Sequence, residues 1–115
     1  ATGAYGLAIS EYMVAVWLML LKKLHSYRDA QPAGAWTDLG PVASAWNSTV
    51  LVLGLGDIGG EFAKRAKALG ARVIGVRRAG VDKPDFVDAL IHTDRLDEYL
   101  PQADCVAITR RASRR

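Results

Sequence analysis

The pattern of apolar and polar positions changes character twice along the chain. Residues 7–28 contain neither Pro nor Gly, and residues 12–21 form an unbroken apolar run. Glu11 falls in the early turns and Lys22, Lys23 and His25 near the end, a charge order that suits a helix macrodipole. This predicts one long helix over 7–28. Its apolar residues occupy nearly the whole circumference, which predicts burial on several sides, in a core or against a partner chain. Residues 29–48 form a connector containing Pro32, Gly34, Gly40 and Pro41, with Trp36 and Trp46 expected to pin it to the domain surface.

At Thr49 the period shortens. Thr49-Val50-Leu51-Val52-Leu53 reads as a strand buried on both faces, ending at Gly54. Residues 57–69 read as an amphipathic helix, with Ile58, Phe62, Ala66 and Leu69 on the dry side, Lys64, Arg65 and Lys67 on the wet side, and Gly70 as its C-terminal stop. Arg72-Val73-Ile74-Gly75-Val76 is a second strand. Together these make a β-α-β unit, the mark of a right-handed parallel crossover. Beyond a turn-like stretch at 79–88, Ala89-Leu90-Ile91 suits a short edge strand. Thr93 or Asp94 then caps a helix from Arg95 to about Leu100, and Cys105-Val106-Ala107-Ile108-Thr109 is a further buried strand. The expected fold is α/β, with three layers: a partial Rossmann-type parallel sheet, order 3-2-1-4, preceded by the long apolar helix.

Composition narrows this picture without redirecting it. The chain has 115 residues, 50% of them hydrophobic and 23% charged, with mean hydropathy +0.07. That excludes a disordered, collagen-like or disulfide-scaffold chain. Cys105 is the only cysteine, which points weakly to a reducing compartment. The net charge of +3 and pI near 9.3 invite a nucleic-acid partner. Removing Arg110, Arg111, Arg114 and Arg115 from that total leaves −1 over residues 1–109, so the basicity belongs to the tail and no nucleic-acid partner is expected. The apolar run is half the ~20 residues a membrane span needs, and its charges follow it rather than precede it, unlike a secretion signal. The expected location is cytoplasmic, with no membrane partner. The start without Met suggests a piece of a longer protein.

The chemistry lies in Gly54-Leu55-Gly56-Asp57-Ile58-Gly59, a G-x-G-x-x-G string set between a strand and a helix. Gly54 permits the tight turn, Gly56 admits a pyrophosphate to the backbone, and Gly59 lets helix and strand approach closely. The amides near Asp57 and Ile58 lie at a positive helix end. An Asp or Glu at the end of the second strand would bind the ribose of NAD. Here stands Val76-Arg77-Arg78, so Arg77 or Arg78 can pair with the 2′-phosphate of NADP, and the cofactor is NADP or NAD with a slight preference for NADP. Cys105 reads as a small core residue, and His25 and His92 as surface residues. No metal site is expected.

The chain resembles the D-isomer-specific 2-hydroxyacid dehydrogenases. The resemblance is carried by Gly3-Ala4-Tyr5-Gly6, Ala8-Ile9-Ser10-Glu11-Tyr12, the Lys22-Lys23-Leu24 helix end, Trp36-Thr37-Asp38-Leu39-Gly40-Pro41, the stretch from Val52 through the glycine string, and Leu100-Pro101-Gln102-Ala103-Asp104. It implies an interdomain and dimerisation helix at 1–30, a linker at 31–48, a partial dinucleotide-binding domain at 49–109 and an unmatched arginine-rich tail at 110–115. It implies hydride transfer between NAD(P) and a small 2-hydroxy or 2-oxo acid, with a homodimer formed through helix 7–28 in the full-length parent. Gly56, Asp57 and Ile58 would hold the pyrophosphate, Arg77 and Arg78 would meet the adenosine ribose, and Thr109 would lie near the cofactor. The family's catalytic Arg, Glu and His have no counterpart here, so no catalytic residue is assigned. The alternatives are a non-catalytic nucleotide-binding or interaction module, or a nonfunctional truncation product.

Overall fold

The computed structural model describes residues 5–30, 40–77 and 82–109. Helix α1 spans Gly6–Lys22 and α2 spans Leu24–Ala30. The expected single helix is thus divided. Lys23 between them has φ 58° and ψ 33°, in the left-handed region, and closes α1 with its own N–H. Its carbonyl then accepts the amides of Ser26 and Tyr27, which starts α2. A left-handed residue cannot continue a right-handed ladder, so the axis changes there.

The core elements are β1 (Thr49–Leu53), α3 (Asp57–Ala68), β2 (Arg72–Arg77), β3 (Ala89–His92), α4 (Leu96–Tyr99) and β4 (Cys105–Ile108). The four strands form one parallel sheet in the order β3-β2-β1-β4, as the pattern predicted. β1 is central, with Leu51 opposite both Ile74 and Val106. Its side chains alternate between two apolar clusters. Val50 and Val52 pack with Phe62, Ala63 and Ala66 of α3 and with Trp17 of α1. Leu51 and Leu53 pack with Ile74, Val76 and Ile91, under Leu96 and Tyr99 of α4. Helices therefore cover both faces, and the sheet is dry on each side of β1.

Three further expectations are modified. First, α1 is not buried all round. Its stripe Met13, Val14, Trp17, Leu18 and Leu21 packs inward, and Trp17 meets Phe62 edge-on at 5.8 Å. Ile9, Tyr12 and Leu20 are exposed, because among the described residues α1 has packed neighbours on one side only. Second, β4 is not a buried strand. Val106 and Ile108 are exposed, since β4 pairs with β1 alone among the described strands and no described helix covers that side of it. Third, the turn before α4 is capped by neither Thr93 nor Asp94. The Nδ1 of His92 accepts the Asp94 amide at 3.2 Å, and a 3₁₀ turn over Thr93–Arg95 leads into the helix. Trp46 touches the domain with one edge while two-thirds of it stays exposed. Its Cδ1 fills the space beside Gly70, where a Cβ would come within 2.5 Å, and the Asn47 amide donates to the Gly70 carbonyl. Trp36 lies outside the described residues.

Candidate functional site

The site lies at the C-terminal ends of β1, β2 and β4. The chain leaves β1 toward β2 and β3 on one side, and β4 returns on the other. The topological switch point is therefore between β1 and β4, where open α/β sheets bind ligands. The glycine turn follows β1 directly into this crevice.

Each glycine of the turn has its own physical reason. Gly54 has φ +93°, a left-handed conformation that a side chain would strain. Gly59, in the first turn of α3, faces the Gly54 carbonyl. A Cβ there would press on that oxygen and stand 2.5 Å from the Thr109 hydroxyl. Gly56 is different. Its φ of −71° is ordinary, and nothing lies within 4 Å of where its Cβ would be. The fold leaves open space there that it does not itself need. Gly56 is also the N-cap of α3 and brings no side-chain oxygen to the first-turn amides, so Asp57, Ile58 and Gly59 open the helix at its positive end. Open space beside such an end fits a pyrophosphate.

The flanking strands supply two more groups. Arg77, the last residue of β2, donates from Nη2 to the Leu55 carbonyl at 3.0 Å. Thr109, directly after β4, donates its amide to Leu53 O at 3.0 Å, and its hydroxyl lies 2.7 Å from Gly54 O and 3.0 Å from Leu53 O. The structure thus brings together Gly54, Gly56, Asp57, Ile58, Gly59, Arg77 and Thr109. Arg78 lies outside the described residues. The grip of Arg77 and Thr109 on the glycine turn was not foreseen in the sequence, because it depends on which strands flank β1.

Two carboxylates outside the site were missed as well. Asp88, just before β3, accepts the Val73 amide at 2.7 Å and the Lys67 ammonium at 2.6 Å. Hydrogen bonding from Lys67, helped by that from the Val73 amide, holds its carboxyl below the ordinary aspartate range. Asp104, just before β4, accepts the Thr49 amide at 2.8 Å. Each closes the first open amide of the neighbouring strand. The available signal was an Asp immediately before an apolar β run.

Cys105 is half-buried, and burial, with a smaller effect from Asp104, pushes its thiol pKa up. This suits packing rather than nucleophilic attack. His25 and His92 are exposed. Among the described residues no group of three His, Cys, Asp or Glu side chains could hold a metal, and no helix is long and apolar enough to cross a membrane.

A Rossmann-type β-α-β unit with a glycine turn at the sheet's switch point defines the class: a dinucleotide-binding fold. Residues 14–114 match the family model described as D-isomer specific 2-hydroxyacid dehydrogenase, NAD binding domain, and the chain belongs to that family. Solved structures agree. A D-isomer specific 2-hydroxyacid dehydrogenase family protein from Aeromonas salmonicida subsp. salmonicida A449 superposes with TM-score 0.90 at 32% identity, over 99% of this chain and 36% of that one. A glycerate dehydrogenase related protein from Thermoplasma acidophilum gives 0.83 at 31% identity, over 96% of this chain and 38% of that one. A probable 2-hydroxyacid dehydrogenase from Rhizobium etli CFN 42, solved with NADP, HEPES and L(+)-tartaric acid, gives 0.86 at 24% identity over 99% and 35%, a likeness of fold. The chain spans little more than a third of the length of these proteins.

Proposed function

We propose that the chain forms the dinucleotide-binding part of an oxidoreductase that transfers hydride between NAD(P) and a small 2-hydroxy or 2-oxo acid. The observation that carries this reading is the open space at Gly56, at the start of α3 and beside the switch point of the sheet. Gly56, Asp57 and Ile58 hold the pyrophosphate, Gly54 and Gly59 shape the turn, and Arg77, with Arg78 next to it in sequence, meets the adenosine ribose. Thr109 borders the crevice. A bound dinucleotide supplies the hydride-carrying nicotinamide, and the chain's own residues bind and orient it. No carboxylate stands in Val76-Arg77-Arg78 to accept the ribose hydroxyls, which favours NADP over NAD.

The division into a helix at 1–30, a linker at 31–48, a nucleotide domain at 49–109 and a tail at 110–115 is part of the same reading. So is a cytoplasmic location. So too is a homodimer through helix 7–28 in the full-length parent, which is supported by the exposed apolar face of α1. No side chain of this chain is assigned as acid, base or carboxylate anchor, and the chain on its own binds nucleotide without turnover.

Calorimetric titration with NADP and NAD tests the reading. The wild-type chain binds both, and Gly56→Val abolishes binding while lowering the melting temperature by only the few degrees that the lost N-cap preference accounts for. No binding of either nucleotide by a folded wild-type chain overturns it.

A further inference from the structure

We propose that Thr109 and Arg77 are positioning residues for the pyrophosphate: from the ends of the two strands that flank β1, they hold three consecutive carbonyls running from the last residue of β1 into the glycine turn. The inference rests on the nucleotide-binding reading and adds which side chains set the shape of the turn.

The carbonyls are those of Leu53, Gly54 and Leu55. Thr109 reaches the first two from the end of β4, and Arg77 reaches the third from the end of β2. A hydroxyl has one proton, so Thr109 shares it between two oxygens, and the shorter distance of 2.7 Å favours Gly54. Gly54 is the residue that most needs an external hold. Its φ of +93° is one of many conformations open to glycine; its amide donates to Val76 O at 3.2 Å and Leu55 beside it is buried in the core, while its carbonyl takes its hold from Thr109. The Arg77 bond is charge-assisted, which makes it the stronger kind. The first turn of α3 leans on the same group, since Gly59 faces both the Gly54 carbonyl and the Thr109 hydroxyl. Moving that hydroxyl therefore shifts the turn and the helix start together, and these carry the amides that meet the phosphates.

Arg77 has two separable roles. A guanidinium that only grips the 2′-phosphate affects NADP and leaves NAD alone. A guanidinium that holds Leu55 affects the pyrophosphate, which the two nucleotides share. The bond to Leu55 O assigns Arg77 to the second role.

Titrations of NAD, NADP and ADP-ribose into the wild-type chain, Thr109→Val, Thr109→Ser and Arg77→Ala test the proposal, alongside amide hydrogen exchange of the nucleotide-free proteins. Thr109→Val weakens all three ligands by roughly 5–10-fold, the scale of one lost hydrogen bond, and Thr109→Ser restores them to within about 2-fold. Arg77→Ala weakens NAD and NADP by the same factor. In Thr109→Val the amides of residues 54–58 exchange faster, while those of β1 and β2 do not. Unchanged affinity and exchange in Thr109→Val, or an Arg77→Ala loss confined to NADP, overturns the assignment. If the wild-type chain binds none of the ligands, the nucleotide reading fails, and the exchange measurement alone decides whether these residues hold the turn.

Discussion

At the scale of single residues, Gly56 and Gly59 separate ligand binding from folding. Both belong to one motif and both lack a side chain, for opposite reasons. Gly59 lacks one because the Gly54 carbonyl occupies the space, whereas Gly56 lacks one although the space is empty. Gly59→Ala is therefore expected to destabilise the chain by about 1–3 kcal/mol, the usual cost of forcing a methyl into a packed contact. Gly56→Ala is expected to cost less than about 1 kcal/mol, since its φ suits any residue and only the N-cap preference is lost. Thermal melts of the two variants check this, and equal losses would contradict it. Cys105 gives a second residue-scale expectation. Burial raises its thiol pKa, with Asp104 adding to the effect, so little thiolate exists at neutral pH. Alkylation by iodoacetamide should stay slow through the ordinary thiol range near pH ~8.5 and accelerate only above it. Asp104→Asn should move that profile to lower pH.

At the scale of elements, the strands and α3 could be read from the sequence because their signals are local. Four alternating residues of β1, Val50 to Leu53, fill two clusters, and glycines mark both ends of α3. The break at Lys23 was not legible, since neither Gly nor Asn stands there and a left-handed lysine has no local signature. The exposure of β4 was not legible either. An apolar run says that a strand can be buried on both faces, but its neighbours decide whether it is. The grips of Asp88, Arg77 and Thr109 depend on strand order, which residue spacing constrains only indirectly. Asp88 provides a pH test of one such tie. Its carboxyl pKa is depressed in the folded chain, chiefly by the bond from Lys67. The ionised form therefore favours folding. This contribution is fully present above the unfolded aspartate pKa of about 3.9 and is lost as pH falls through the folded value. Asp88→Asn should lower stability by about 1 kcal/mol at pH 7, and the gap to wild type should close toward pH ~2. Urea unfolding at the two pH values measures it. Trp17 offers a contrasting case. Its ring is buried against Phe62, but its Nε1 is buried without a hydrogen-bond partner. Trp17→Phe keeps an aromatic contact and removes the unsatisfied donor, so its cost should fall well below the ~3–5 kcal/mol of a Trp→Ala truncation.

At the scale of the whole molecule, two apolar surfaces on opposite faces of the sheet meet at the β4 edge. One is the outer face of α1, where Ile9, Tyr12 and Leu20 are exposed. The other is β4, with Ile108 at 71% exposure. Between them runs a groove of about 400 Å³ lined by Tyr12, Val16, Leu20, Phe62, Val106 and Ile108. Apolar surface of this kind, beside a strand edge that no described strand pairs, drives association. Charge does little to oppose it. The net +3 arises from the four arginines of residues 110–115, and the remaining chain is near neutral at −1, so two copies meet with little repulsion across these faces. The chain is therefore expected to self-associate in sedimentation velocity at concentrations of tens of micromolar, with weight-average mass rising with concentration. Paired variants then distinguish the surfaces. If α1 is the dimer face, Tyr12→Glu with Leu20→Glu returns the chain to monomer while Ile108→Lys leaves association intact. If the strand edge dominates, the reverse holds. A wild-type chain that stays monomeric across the concentration range would show that α1 alone does not support a homodimer, and the dimer reading would then fail for this chain.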